Sequence, residues 1–264
     1  MRYFWKILLI LIIGAVAAYF FTLSREKKPI PRETPARPSS MENSIQEAQS
    51  AKNEEAAASK TPEVAEADSE TRNVPEKFSL NIPFYSQAPF SKWDAFHEDM
   101  CEEASLLNAG LYLEDKKLSL EKYESELQAL QKTEKEVIGE WKSTTITQTK
   151  KLADVFFEGK ISAKIIDNPT AENIEAEVAA GNPVIVPLAG RDIGNPNFTP
   201  PGPVYHMLVI KGYDSKNFIA NDVGTRKGES YVYKKEVIME NMHDWNEKDI
   251  HLGGKRVLVL MKNS

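Results

Sequence analysis

Cys101 is the only cysteine in the chain, and it falls where the sequence predicts the first turn of a helix. The run Asp99-Met100-Cys101-Glu102 reads as a helix start, with Asp99 as N-cap and Glu102 placed three residues on, as in a capping box. Unpaired amide hydrogens and the positive end of the helix dipole favour a thiolate there, which is the state a sulfur nucleophile needs. Glu102 and Glu103 oppose that charge unless they point away. A lone cysteine serves equally well as a small core residue, so position alone does not decide its role. A single cysteine does exclude an internal disulfide and the cysteine-rich zinc sites, whose ligands come in pairs.

His206 sits in a predicted strand, with Val204, Leu208 and Ile210 on its own face and Met207 and Val209 on the other. Both faces are apolar, so the imidazole is expected to be at least partly buried, as a core histidine would be. The acid on the next strand, Asp222, raises its chemical interest. Suppose the connection is a three-residue turn, Asp214-Ser215-Lys216, with Asn217 left-handed. Tyr213 then opposes Asn217, His206 opposes Gly224, and Asp222 becomes its diagonal neighbour, roughly 7–8 Å away before side chains bend. A two-residue turn would send Asp222 to the opposite face. The remaining histidines carry little weight: His97 reads as a solvated loop residue, and His243 and His251 lack metal-ligand spacing. Trp141 and Trp245 read as core or rim packing.

Those residues need elements to hold them. Phe78–Phe84 alternates as a short strand, with Leu80, Ile82 and Phe84 on one side. Helices are expected from Cys101 to about Tyr112, from near Ser119 (Leu120, Tyr123, Leu127 and Leu130 on one face) and over Thr147–Phe157 (Leu152, Val155 and Phe156). After a strand at Ala163–Ile166, Thr170–Ala180 reads as a helix stopped at Gly181. The pattern then turns to strands: Val184–Leu188, Val204–Tyr213, Phe218–Asp222, Ser230–Tyr233 and Arg256–Met261, with one helix at Lys235–Met242. A long loop, Gly190–Pro203, holds four prolines just before the His206 strand. Helices first and antiparallel strands second is an α+β pattern, and the late strands lack the helical crossovers of a parallel sheet.

The hydrophobic fraction of 41 % is unevenly spread over the 264 residues. Ile7 through Leu23 is almost unbroken apolar sequence, flanked by Arg2 and Lys6 before and Arg25, Lys27 and Lys28 after. Such a run just spans a bilayer, with Phe4 and Trp5 as interfacial aromatics. A cleavable signal ending at Ala15-Val16-Ala17 is the alternative, but it would leave Tyr19, Phe20 and Phe21 at the mature end. Residues 1–24 are therefore expected to be a single transmembrane anchor. Residues 25–76, proline-rich and then Ala/Glu-rich, are expected to be a disordered linker, because they cannot bury enough apolar surface to offset chain entropy. Residues 77–264 have the length and composition of one folded domain. The basic residues after the span, with Arg32 and Arg37, lean toward a cytoplasmic domain by the positive-inside rule. The long polar tether argues for the outer side, and that is the expected placement. A net charge of −6 argues against nucleic acid as a partner.

The order of motifs resembles papain-like cysteine peptidases, and more closely cysteine-peptidase family thirty-nine, the bacteriocin-processing or double-glycine peptidases. The matching residues are Ile82-Pro83-Phe84-Tyr85-Ser86-Gln87, Trp93, Cys101-Glu102-Glu103-Ala104-Ser105-Leu106, His206 through Asp214, and Asn221-Asp222. The resemblance implies a bacterial cysteine peptidase of papain-like fold, its cysteine helix packed on a C-terminal antiparallel sheet, acting on peptide or protein substrates without metal or cofactor. It implies Cys101 as nucleophile, His206 as base and then acid, Asp222 as the group that orients the imidazole, and Gln87 as an oxyanion donor beside the Cys101 amide. Three departures stand out. The Gln87–Cys101 interval is long, Glu102-Glu103 replaces a common Gly-Pro, and Val223 stands where proline is frequent. Two other readings remain open: a cell-wall peptide amidase or transpeptidase using the same pair, and a catalytically silent binding module.

Overall fold

The computed structural model describes residues 74–139 and 142–263, so the predicted anchor, nearly all of the linker, and Trp141 lie outside the described residues. Among those described, no helix is long and apolar enough to cross a membrane.

Among the described residues seven strands form one sheet in which every pairing is antiparallel. They are β1 (Phe78–Ser79), β2 (Ile161–Asp167), β3 (Val184–Ala189), β4 (Tyr205–Tyr213), β5 (Asn217–Asn221), β6 (Tyr231–Lys234) and β7 (Arg256–Lys262). The order across the sheet is β2-β7-β3-β4-β5-β6, and β1 pairs with the far end of β4. Among the described residues five α-helices accompany it: α1 (Cys101–Leu113), α2 (Leu120–Ile138), α3 (Ile146–Phe156), α4 (Ala171–Ala179) and α5 (Lys235–Glu240). This is the mixed helix and antiparallel-sheet class that the pattern predicts.

Local chemistry explains most boundaries. Ser119, Thr145 and Thr170 accept hydrogen bonds from the first-turn amides of α2, α3 and α4, and the last two form reciprocal capping boxes with Gln148 and Asn173. Gly139, ending α2, and Gly181, after α4, have positive φ of 93° and 91°, a conformation that carries no Cβ penalty for glycine. In α1 every residue except Tyr112 is buried, because the helix lies between β4 and the other helices. Its Asn108 is fully satisfied: Oδ1 accepts from the Tyr85 amide, and Nδ2 donates to the Tyr85 and Ala104 carbonyls. That clamp fixes the segment leading to Gln87 against the helix that carries Cys101.

Several expectations need correction. The first strand pairs over two residues rather than seven. Beyond Leu80, whose amide donates to the Lys211 carbonyl, the chain leaves the sheet, and Asn221 Nδ2 serves the Ile82 and Pro83 carbonyls instead. Leu80 and Ile82 are buried all the same, so the alternation reported burial and not a ladder. Leu120 and Val155 are 43 % and 47 % exposed, at helix positions that face solvent. The start of α1 has no side-chain cap: a 3-10 turn, His97–Asp99, leads in through Met100, and Glu102 is turned inward.

The hairpin reaches the expected alignment by another route. Tyr213 pairs with Phe218, so the turn is one residue longer than supposed, and Asn217 opens β5 instead of adopting a left-handed conformation. A bulge between Ile210 and Gly212 then removes the offset, so that Ile210 faces Ala220 and Val209 faces Asn221. Continued along β4, that register sets His206 opposite Gly224, with Asp222 diagonal to it.

Candidate active site

Cys101 begins α1 against β4 and is only 5 % exposed. Its thiol donates to Glu102 Oε2 at 2.9 Å, while the backbone N–H of Met207 reaches the sulfur from β4. Burial pushes the thiol pKa well up, the adjacent Glu102 charge and hydrogen bond push it further, and only the Met207 amide works the other way. The thiol is therefore held protonated, against the expectation from its helix position. The reason is that Glu102 points at the sulfur instead of away from it. Glu102 is fixed by its other oxygen, which accepts the Thr144 N–H at 2.9 Å. Burial pushes its carboxyl up to about 7. Glu103 is raised well above the ordinary range by burial and by a hydrogen bond shared with Glu134 on α2.

His206 is buried, and its Nε2 meets Asp222 Oδ1 at 2.8 Å. Gly224 makes this possible: a Cβ there would lie 2.7 Å from His206 Cε1. Phe198, from the proline loop, stands edge-on to the imidazole with ring centroids 5.3 Å apart. Behind the pair, Asp222 Oδ2 accepts from the Tyr233 hydroxyl at 2.5 Å and from Asn195 Nδ2 at 2.9 Å, and Oδ1 also accepts the Gly224 N–H. Asn195 donates to the Tyr233 hydroxyl as well. Burial works to raise the Asp222 pKa, but the charge of His206 and the donors from His206, Tyr233 and Asn195 outweigh it and hold the group below the usual carboxylate value. The result is a buried carboxylate whose contacts orient one imidazole.

Gln87 is buried beside them, its backbone N–H bonded to the Val223 carbonyl. Its Nε2 donates to the carbonyls of His97, at 2.8 Å, and Glu98, at 3.1 Å. Both amide hydrogens are thus engaged in bracing the turn that leads into Cys101. The Cys101 N–H, at the first helical position, has no intrahelical acceptor.

Cys101, His206, Gln87 and Glu102 all line one cleft of about 1010 Å³. Asp222 sits behind its wall. The proline loop forms one side through Phe198 and Pro203, while Trp93 and Trp245 contribute aromatic surface. The structure therefore brings together all four residues singled out in the sequence. His97 is not a solvated loop residue: it is 8 % exposed and bridges Asp94 and Glu124, which ties the loop to α2. His251 is held at the surface by Asp249 and Asp192. The sequence reading missed Asn195 and Tyr233, because neither lies in a motif with period or spacing and both reach Asp222 only through the folded chain. It also missed that Glu102 bonds the thiol, although its adjacency to Cys101 raised the question.

A buried, carboxylate-held histidine and a helix-borne cysteine thus share one cleft. The model of the Peptidase_C39 like family matches residues 79–248, and the chain belongs to that family. This makes it a member of a peptidase family, consistent with a cysteine peptidase. Two solved structures are similar. One, described as a C39-like peptidase from Bacillus anthracis, is 18 % identical, covers 72 % of this chain and all of its own, and has a TM-score of 0.48. The other, a double glycine motif protease from an AMS/PCAT transporter in complex with the leader peptide, is 14 % identical, covers 70 % of this chain and 94 % of its own, and has a TM-score of 0.37. No curated protein matches significantly.

Proposed function

We propose that this chain is a membrane-tethered cysteine peptidase that hydrolyses peptide bonds with Cys101, His206 and Asp222. The observation that carries the reading is the 2.8 Å contact between His206 Nε2 and Asp222, on a histidine that shares its cleft with Cys101. With Nε2 engaged, Nδ1 is the nitrogen assigned to the sulfur.

In the acylation step the thiol proton passes to His206 Nδ1 as the sulfur attacks the scissile carbonyl carbon. The oxyanion takes the Cys101 N–H. Gln87 supplies a second donor by giving up the Glu98 carbonyl, the longer of its two bonds. His206 then returns the proton to the leaving amine, and a thioester remains. Water enters, gives a proton to His206, and its oxygen attacks the thioester carbon. The acid departs as the sulfur regains its proton. Asp222 stays ionised throughout and stabilises the imidazolium. Residues 7–23 serve as a single-pass anchor, with the linker holding the domain outside the membrane.

Peptide cleavage followed by mass spectrometry tests this reading. The wild type should hydrolyse members of a mixed peptide pool, and Cys101→Ala and His206→Ala should lower the rate by about 10³-fold or more. Equal cleavage by the wild type and Cys101→Ala would refute the assignment.

A further inference from the structure

The Cys101 thiol has a side-chain partner in Glu102, and the geometry is specific. Oε2 accepts the thiol proton at 2.9 Å, Oε1 is pinned by the Thr144 N–H at 2.9 Å, and the residue is 2 % exposed. Thr144 is itself fixed, its carbonyl accepting from the Tyr205 hydroxyl and its own hydroxyl bonded to Thr149. Glu102 therefore has little freedom to swing away, and it lines the same cleft as the thiol and His206. A carboxylate in this place stabilises S–H and repels a thiolate. A neutral carboxyl in the same place donates its proton to the sulfur and stabilises a thiolate.

Resting on the Cys101–His206 reading, we infer that Glu102 is a proton gate on the nucleophile: ionised, it locks Cys101 as a thiol, and protonated, it releases the thiolate–imidazolium pair. One proton is taken from solvent onto Oε2. The thiol proton then moves to His206 Nδ1, leaving a thiolate, an imidazolium and a carboxylic acid whose O–H points back at the sulfur. Oε1 keeps the Thr144 bond in both states. The ionisable groups facing Glu102 are Cys101 and Glu103 on α1, Glu134 on α2, and Tyr205 on β4, with His206 across the cleft and Asp244 near Tyr205. Glu103 and Glu134 share a hydrogen bond, and Tyr205 is pushed up by burial and by the neighbouring charges. This leaves Glu102, at about 7, as the member placed to change state near neutrality.

The test is the rate of Cys101 alkylation by iodoacetamide, a neutral probe, from about pH 5 to about pH 9, on the full-length chain. The wild type is expected to react fastest on the acid side of neutrality and to slow as pH rises through about 7, before direct thiol ionisation takes over. Glu102→Gln keeps an acceptor for Thr144 and offers the sulfur a permanent donor, so the slowing should vanish, with a gain of about tenfold at pH 8. A wild-type rate that simply climbs through neutrality would overturn the gate even if the variant fails to fold, and so would a folded Glu102→Gln that tracks the wild type. His206→Ala separates the two ideas. Alkylation that ignores this change at every pH removes the thiol–imidazole pair itself. Alkylation that depends on His206 but not on Glu102 removes only the gate.

Discussion

Asp222 is a buried charge, and such a charge persists only when its oxygens are met by donors. Tyr233 and Asn195 meet Oδ2, leaving Oδ1 for the imidazole and the Gly224 amide. Tyr233 is thus a positioning residue, acting through Asp222. Tyr233→Phe should lower kcat by about tenfold or more with little change in KM, because a hydrogen bond to a charged group contributes about 1.5–3 kcal/mol. A parallel loss in KM would point to a direct role in the cleft instead. The resemblance assigned Gln87 to the oxyanion. In the structure its amide donates to the His97 and Glu98 carbonyls, so that the proposed oxyanion role would require an exchange of partners. That distinction was invisible in the sequence, which identifies an amide but not what it touches.

The elements were legible where the signal was local. Ser119 and Thr170 marked helix starts because a capping side chain sits a fixed three residues from the amide it serves. Hairpin register was less legible, because turn length and the bulge at Lys211 offset each other. The sequence displays neither separately, yet their sum delivers Asp222 to His206. Where β5 runs on into the loop after Asp222, backbone clearance matters as much as register. Gly224→Ala would drive a Cβ to 2.7 Å from His206 Cε1 and 3.1 Å from the Phe198 ring. Peptide hydrolysis should fall by about 10²-fold, while the urea unfolding midpoint shifts only modestly, since the clash can be relieved by moving the imidazole off its line. An active Gly224→Ala would mean that the imidazole tolerates displacement and that its present position is not the working one.

At the scale of the molecule, a folded peptidase domain follows a stretch whose composition reads as anchor and tether. Under the proposed reading, Ile7–Leu23 would anchor the chain in a membrane. The full-length protein should therefore sediment with membranes and resist extraction by high salt, whereas removal of residues 1–24 should release it to the supernatant. Membrane association that survives the deletion would assign the attachment to the domain or the linker. Within the domain, the cleft exists because α1 is packed against β4 while the proline loop folds back over it through Phe198. Residues about a hundred positions apart in the chain meet there only through the sheet.

The central claim is that Cys101 and His206 act as one chemical unit. Labelling with a thiol-reactive peptide probe tests it most directly, with folding of each variant checked by circular dichroism. Wild-type protein should be labelled at Cys101, and folded His206→Ala should lose labelling as completely as Cys101→Ala does. Undiminished labelling of His206→Ala would contradict it.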